Sequence, residues 1–129
     1  TNMISLSTRD SIEIIDDQYG RPTSAVYLSI FLNKLVLEHY KPEFGVYNFS
    51  SSGSEVSWCG FAEEIFENAF KFHLIDSIPK IKPTSFEKYS STASRPSYSV
   101  LSNTKIEKRC NISIPNWKEI LIHDLKLIG

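Results

Sequence analysis

The side chains of this chain that could carry chemistry are three histidines, two cysteines, one acidic pair and the arginine of the Arg95-Pro96-Ser97-Tyr98 stretch. His39, His73 and His123 fall in or beside predicted helices, and none has a carboxylate or cysteine at the spacing of a known metal site. Each is expected to be an ordinary surface or core histidine. Asp16 and Asp17 are adjacent, whereas cation loops alternate their carboxylates with other residues, so the pair is expected in a solvated turn. Cys59 and Cys110 are far apart in the sequence and form no CxxC pair, which argues against zinc, a dithiol centre and a disulfide framework. Serines are plentiful, yet there is no GxSxG elbow and no histidine marked as a base for a serine nucleophile. Gly45 and Gly53 build neither a GxGxxG nor a GxxxxGK[ST] phosphate loop. Arg95 stands apart, because Pro96 fixes the backbone beside it and a guanidinium fork held ready suits a phosphate or carboxylate. A surface ion pair is the plainer alternative for it. Trp58 and Trp117 each open a predicted helix and are expected as core or interface anchors.

Several elements must position these groups. Ile12-Glu13-Ile14-Ile15 is a β-branched run that closes on Asp16-Asp17-Gln18-Tyr19-Gly20, so a strand is expected to lead into an acidic, glycine-ended turn. Pro22 stops the strand, and Thr23 or Ser24 can cap a helix whose interior would hold Ala25, Leu28, Leu32 and Leu35 and which would run to about His39. Val46-Tyr47-Asn48-Phe49 alternates as a half-buried strand does, with Ser50 to Gly53 as the loop after it. Ser57 caps a second helix with Phe61, Ile65 and Ala69 beside Ala62, Phe66 and Phe70 as its apolar stripe. Ile78 to Pro96 holds Pro79, Pro83 and Pro96 with Ser90, Ser91 and Ser94, which predicts extended or loop structure. Ser102 or Asn103 can cap a short helix through Lys108. Pro115-Asn116-Trp117 with Glu119 starts a last helix bearing Ile120, Leu121, Leu125 and Ile128.

The whole is a small mixed α/β arrangement of few strands and about four helices, in which the strands are expected to complete a larger sheet. With 129 residues the chain holds one domain, and 14 Lys and Arg against 15 Asp and Glu give a net charge of -1. That balance removes the basic field on which nucleic-acid binding rests. The most apolar stretch, Ala25 to Leu37, is broken by Ser29, Asn33 and Lys34 and is shorter than the ~20 apolar residues of a membrane span, so no membrane partner is expected. Thr1-Asn2-Met3-Ile4 has no signal-peptide pattern and gives the impression of a chain entered midway. A reducing, cytoplasmic setting fits the cysteine usage.

Five segments occur together and in order: Asp16-Asp17-Gln18-Tyr19-Gly20-Arg21-Pro22-Thr23, Gly45-Val46-Tyr47-Asn48-Phe49-Ser50, Ser57-Trp58 with Phe61-Ala62, Arg95-Pro96 with Tyr98-Ser99-Val100-Leu101, and Pro115-Asn116-Trp117. In this order and spacing the chain resembles the dTDP-4-dehydrorhamnose reductase family of extended short-chain reductases, over the C-terminal part that closes on the nucleotide-sugar. The resemblance implies that residues 1–129 are one nucleotide-sugar-binding domain, a fragment whose Rossmann half is absent. It also implies an oxidoreductase of dTDP-rhamnose biosynthesis for bacterial cell-surface polysaccharide, reducing the C4 keto group of dTDP-4-dehydro-L-rhamnose with NADPH held by the other half.

No cofactor is therefore expected on these residues, and neither is catalysis. The family's proton donor is a Tyr-x-x-x-Lys pair, and none of the six tyrosines here has a lysine four positions on. Carried over by position, Gln18, Arg21, Pro22 and Thr23 would stand at the turn entering the cleft, and Arg95 would approach the diphosphate. The implied partners are a dTDP-sugar, the missing Rossmann half and a second copy in a homodimer. Two positions depart from the family pattern: Tyr27-Leu28-Ser29 replaces Asp-Leu-Ala, and Leu101-Ser102 replaces Leu-Asp. Both remove a carboxylate. They leave open a diverged reductase acting on another nucleotide-sugar, or a non-catalytic regulatory subunit resembling the methionine adenosyltransferase beta subunit, while the absent Rossmann half leaves open a free-standing interaction domain.

Overall fold

β-branched residues form the first strand as expected. The computed structural model, which describes residues 3–37, 40–88 and 95–128, places β1 at Ser11–Ile15 after a 3₁₀ segment Met3–Thr8. Its partner is β4 (Lys80–Thr84), in parallel, with Ser11 opposite Lys80 and Ile15 opposite Thr84. Within the described residues of the 78–96 span, the extended-or-loop expectation takes the form of the β4 strand and a 3₁₀ turn, Phe86–Lys88. Pro83 is tolerated because β4 pairs with β1 alone among the described residues, and an edge strand needs no donor on its open side. A second small sheet joins β2 (Tyr19–Gly20) and β3 (Val56–Ser57) in antiparallel. His39, Tyr89, Ser90, Ser91 and Ser94 lie outside the described residues.

α2 (Trp58–Lys71) begins at the predicted cap: Ser57 Oγ accepts from Gly60 N at 3.0 Å and donates to Asp16 Oδ1 at 2.5 Å. Ala62, Phe66 and Ala69 are fully buried against Ile12 and Ile75, with Leu6, Ile14, Leu74 and Ile81 around them. Phe70, expected on the stripe, is nearly half exposed. The buried face runs through Cys59, Ala62, Phe66 and Ala69, and at 100° per residue Phe70 turns past its edge. The helix closes on His73 in the left-handed region (φ 57), where Leu74 N bonds Ala69 O at 2.9 Å.

α1 (Ala25–Val36) is capped by Ser24 and ends at Leu37, short of the predicted end. Its inward face also differs from the prediction. Phe31 is buried, with Tyr27 and Leu35 beside it, while Ala25 faces solvent and Leu32 is 49% exposed. Ring stacking decides the rotation: Phe31 lies 4.6 Å from Phe49 and 5.6 Å from Tyr40, and Tyr27 lies 6.2 Å from Phe49. Ile106, Cys110 and Ile114 complete this second core.

The expected strand over 46–49 does not form. Its faces alternate as predicted, Tyr47 and Phe49 inward and Val46 and Asn48 outward, but no backbone ladder flanks it. Side chains hold it instead: Lys105 Nζ donates to Val46 O at 2.8 Å and sits 4.4 Å from the Tyr47 ring centroid.

α3 (Thr104–Cys110) follows Asn103, which makes no side-chain cap. Buried Asn103 turns back to Ser50, accepting from its N at 3.0 Å and donating to its O at 2.7 Å. α4 (Trp117–Lys126) has the predicted Asn116 cap, bonded to Lys118 N at 3.0 Å. Trp117, Ile120 and Leu125 are buried; Ile128 lies past the helix end and is 67% exposed rather than in the core. Gly53 (φ +101) lets the chain pass here, since a Cβ would come within 2.7 Å of Asn116 Oδ1. Ser52 then bonds both sides of Asn116, through Pro115 O at 2.9 Å and Trp117 N at 3.0 Å. Among the described residues, four α-helices and two small sheets make up the mixed α/β arrangement expected.

Candidate functional site

The acidic turn is a structural knot. Asp16 receives the Ser57 hydroxyl, and both Asp17 oxygens accept from Phe86 N at 3.0 Å, so the two carboxylates tie the end of β1 to the starts of α2 and of the 86–88 turn. Both aspartates are exposed, as a turn requires, but neither is left to solvent alone. No group of three or more His, Cys, Asp or Glu among the described residues could hold a metal ion.

Beyond the knot, Tyr19 recruits a segment far away in sequence. Tyr19 N donates to Ser97 O at 2.7 Å, and Tyr19 O accepts from Ser99 N at 2.9 Å and from Ser99 Oγ at 3.2 Å. Arg21 extends the seam by donating through Nη1 to Leu101 O at 3.3 Å. Two sequence motifs, the Gln18–Thr23 turn and the 95–101 stretch, are thereby laid side by side. Two cavities open along this seam. One of about 110 Å³ is lined by Tyr19, Arg21, Pro22, Ser57, Trp58 and Ser99. The other, about 220 Å³, is lined by Pro22, Thr23, Ser51, Trp58, Trp117 and Asp124 among others. Pro22, Trp58 and Phe61 belong to both walls.

Of the five predicted site residues, Arg21, Pro22 and Thr23 converge here. Gln18 is buried behind the turn, with its Nε2 unpartnered among the described residues, and it lines neither cavity. Arg95 is exposed on the strip that Tyr19 binds and also lines neither cavity. Arg21 already spends one N–H on Leu101, and its Nε is buried without a partner among the described residues. Thr23 Oγ1 donates to Arg21 O at 3.4 Å, which steadies the turn between them.

The sequence reading missed Ser57, Ser99 and Trp58 as lining residues. Ser99 could have been found, since it lies inside the 95–101 motif. Trp58 could not: as a residue opening a helix it is expected as a core or interface anchor, and the indole is 53% exposed because α2 begins beyond the edge of the core. Trp117 is the anchor expected, with Nε1 donating to Ser54 O at 2.8 Å. A third cavity, about 300 Å³ between α1 and α4, is lined by Tyr27, Ile30, Ile120 and His123 among others and touches none of the predicted site residues.

Nucleophilic chemistry by the cysteines is disfavoured. Cys59 and Cys110 are both buried and free. Burial pushes the Cys59 thiol up, helped by the charges of Asp16 and Glu63, and burial alone pushes up Cys110. The arrangement can bind, through hydroxyls, a guanidinium and an indole face, and its one close hydroxyl–carboxylate pair among the described residues, Ser57 with Asp16, is occupied in capping α2.

A small mixed α/β fold with a proline-threonine turn knotted to a distant arginine-proline strip defines a substrate-binding domain, and the chain belongs to the family described as RmlD substrate binding domain, matched over residues 1–127. Its relatives carry one name. It is 30% identical over 118 residues to the dTDP-4-dehydrorhamnose reductase of Aggregatibacter actinomycetemcomitans, covering 88% of this chain and 39% of that protein. The corresponding enzyme of Sinorhizobium fredii is 31% identical over 120 residues, covering 87% and 38%. Among solved structures, the reductase of Bacillus anthracis in complex with NADP matches with a TM-score of 0.81 at 28% identity, covering 98% of this chain and 42% of that one. The Clostridium acetobutylicum reductase matches at 0.80 and 34% identity, with the same coverage. The chain thus spans roughly two fifths of the relatives it matches. No helix among the described residues is long and apolar enough to cross a membrane.

Proposed function

We propose that residues 1–129 are the nucleotide-sugar-binding part of an NADPH-dependent dTDP-4-dehydrorhamnose reductase, which reduces the C4 keto group of dTDP-4-dehydro-L-rhamnose to give dTDP-L-rhamnose. The observation that supports this best is the seam joining Tyr19 and Arg21 to Ser97, Ser99 and Leu101, in a chain that belongs to this family over nearly its whole length.

In this reading Arg21 and Arg95 face the diphosphate, with Arg95 free to swing from its exposed position. A charge-assisted contact of this kind contributes about 1.5–3 kcal/mol. Pro22 and Thr23 shape the entrance, and Gln18 supports the turn from behind. The residues here do not fit NADPH: there is no glycine-rich fingerprint and no Tyr-x-x-x-Lys pair. The dinucleotide belongs to another part of the protein, where it supplies the hydride. The residues of this chain bind and orient the sugar nucleotide. A cytoplasmic setting and a dTDP-sugar partner belong to the same reading.

The test is NADPH consumption by the full-length protein given dTDP-4-dehydro-L-rhamnose. Turnover that falls at least ten-fold in kcat/KM for Arg21→Ala is expected. A folded full-length protein that consumes no NADPH with this substrate would overturn the reading.

A further inference from the structure

Trp58 is a costly residue to leave half in water. An indole buries more apolar area than almost any side chain, and its first-turn position on α2 offered a route inward that the fold does not take. Its backbone is fixed from both sides, by the Ser57 knot to Asp16 and by Gly60, where a Cβ would come within 3.0 Å of Val56. Its ring is fixed as well, at the outer end of an aromatic row: Trp58 lies 6.5 Å from Phe61, tilted by 59°, and Phe61 meets buried Trp117 edge-on at 5.7 Å. Trp58 lines the same small cavity as Arg21, Ser57 and Ser99, and it also lines the larger cavity shared with Pro22.

A rigid, exposed aromatic ring beside a guanidinium matches a molecule with a flat ring near a phosphate. We propose that Trp58 is the stacking platform for the base of the nucleotide, a positioning and specificity role resting on the reading above. The base is favoured over the hexose by the geometry of the reaction. The keto carbon must reach a hydride donor that these residues do not hold, so the end of the ligand retained here is the nucleoside. Base stacking on an aromatic side chain is strong and tolerant of base identity. Trp58 therefore sets affinity for the nucleotide more than it selects thymine over uracil.

The experiment is titration of the full-length protein with dTDP, which has the base and diphosphate but no hexose, alongside dTDP-rhamnose. Trp58→Ala is expected to weaken both by at least ten-fold, about 1.4 kcal/mol. Trp58→Phe should restore most of the loss, and dTDP should quench tryptophan emission in the wild type but not in Trp58→Phe. If Trp58→Ala binds dTDP normally and loses only dTDP-rhamnose, the platform serves the hexose and the proposal falls. Unchanged binding of both ligands would overturn it too, while leaving the reductase reading intact. A wild type that binds neither ligand overturns both. Helical content by circular dichroism, and the quenching measured without any loss of fold, guard against a variant that merely unfolds.

Discussion

α1 and α2 are both apolar helices capped by serine, yet they dispose of their apolar surface in opposite ways. α2 buries a continuous face, with Ala62, Phe66 and Ala69 fully enclosed between β1 and the 74–75 turn. α1 buries Phe31 alone and leaves Val26, Ile30, Leu32 and Val36 largely open. Sequence hydrophobicity is therefore no guide to which helix organises this domain. The outer face of α1 is more apolar than ordinary surface.

The largest expected effect separates the two helices most sharply. Phe66→Ala should cost about 3–5 kcal/mol in chemical unfolding, because no neighbour can collapse into the space. A loss below 1 kcal/mol would show that the α2 core is loosely packed. Next come the two caps. Ser57→Ala removes the α2 cap and the Asp16 bond together and should cost about 1–2 kcal/mol, whereas Ser24→Ala, with one bond of 3.2 Å to Tyr27 N, should cost about half as much. Equal costs would mean that the Asp16 knot contributes nothing. Leu32→Gln on the open face of α1 should shift stability by less than about 0.5 kcal/mol while reducing self-association of the isolated chain, read by size-exclusion chromatography.

The smallest effect is alkaline. Both thiols are raised in the folded state, so each contributes fully below its ordinary value of 9.0, and that contribution is lost as pH climbs through the higher folded value. Stability measured at pH 8 and again above pH 10 should fall less in a Cys59→Ala variant than in the wild type.

Local signals carried much of this architecture. The cap residues Ser57 and Asn116, the strand before the acidic turn and the apolar periodicity of α2 were legible because each depends on neighbours within four residues. The misread elements depend on distant ones. The rotation of α1 is set by Phe49 and Tyr40, and Asn103 abandons its cap for Ser50. β4 exists because β1 needs a partner, and the 46–49 segment is no strand because it has none. Of the proposed site residues, Arg21, Pro22 and Thr23 line the cavities along the seam and were singled out through the motif they belong to. Trp58 was not, since helical spacing reports which face a residue shares and says nothing of where the core ends.

The parallel pairing of β1 with β4 also bears on how the domain folds. Ser11 meets Lys80 across a loop that contains all of α1, the 40–57 segment and all of α2. Closing so long a loop yields only a two-stranded sheet, marginal by itself. Those hydrogen bonds therefore arise after α2 has collapsed on Ile12 and Ile75 rather than before. The rate-limiting step is then the packing of α2 on Ile12 and Ile75, so Ile81 on the sheet should show a φ-value near zero while Ala62 and Ala69 approach those of a folding nucleus.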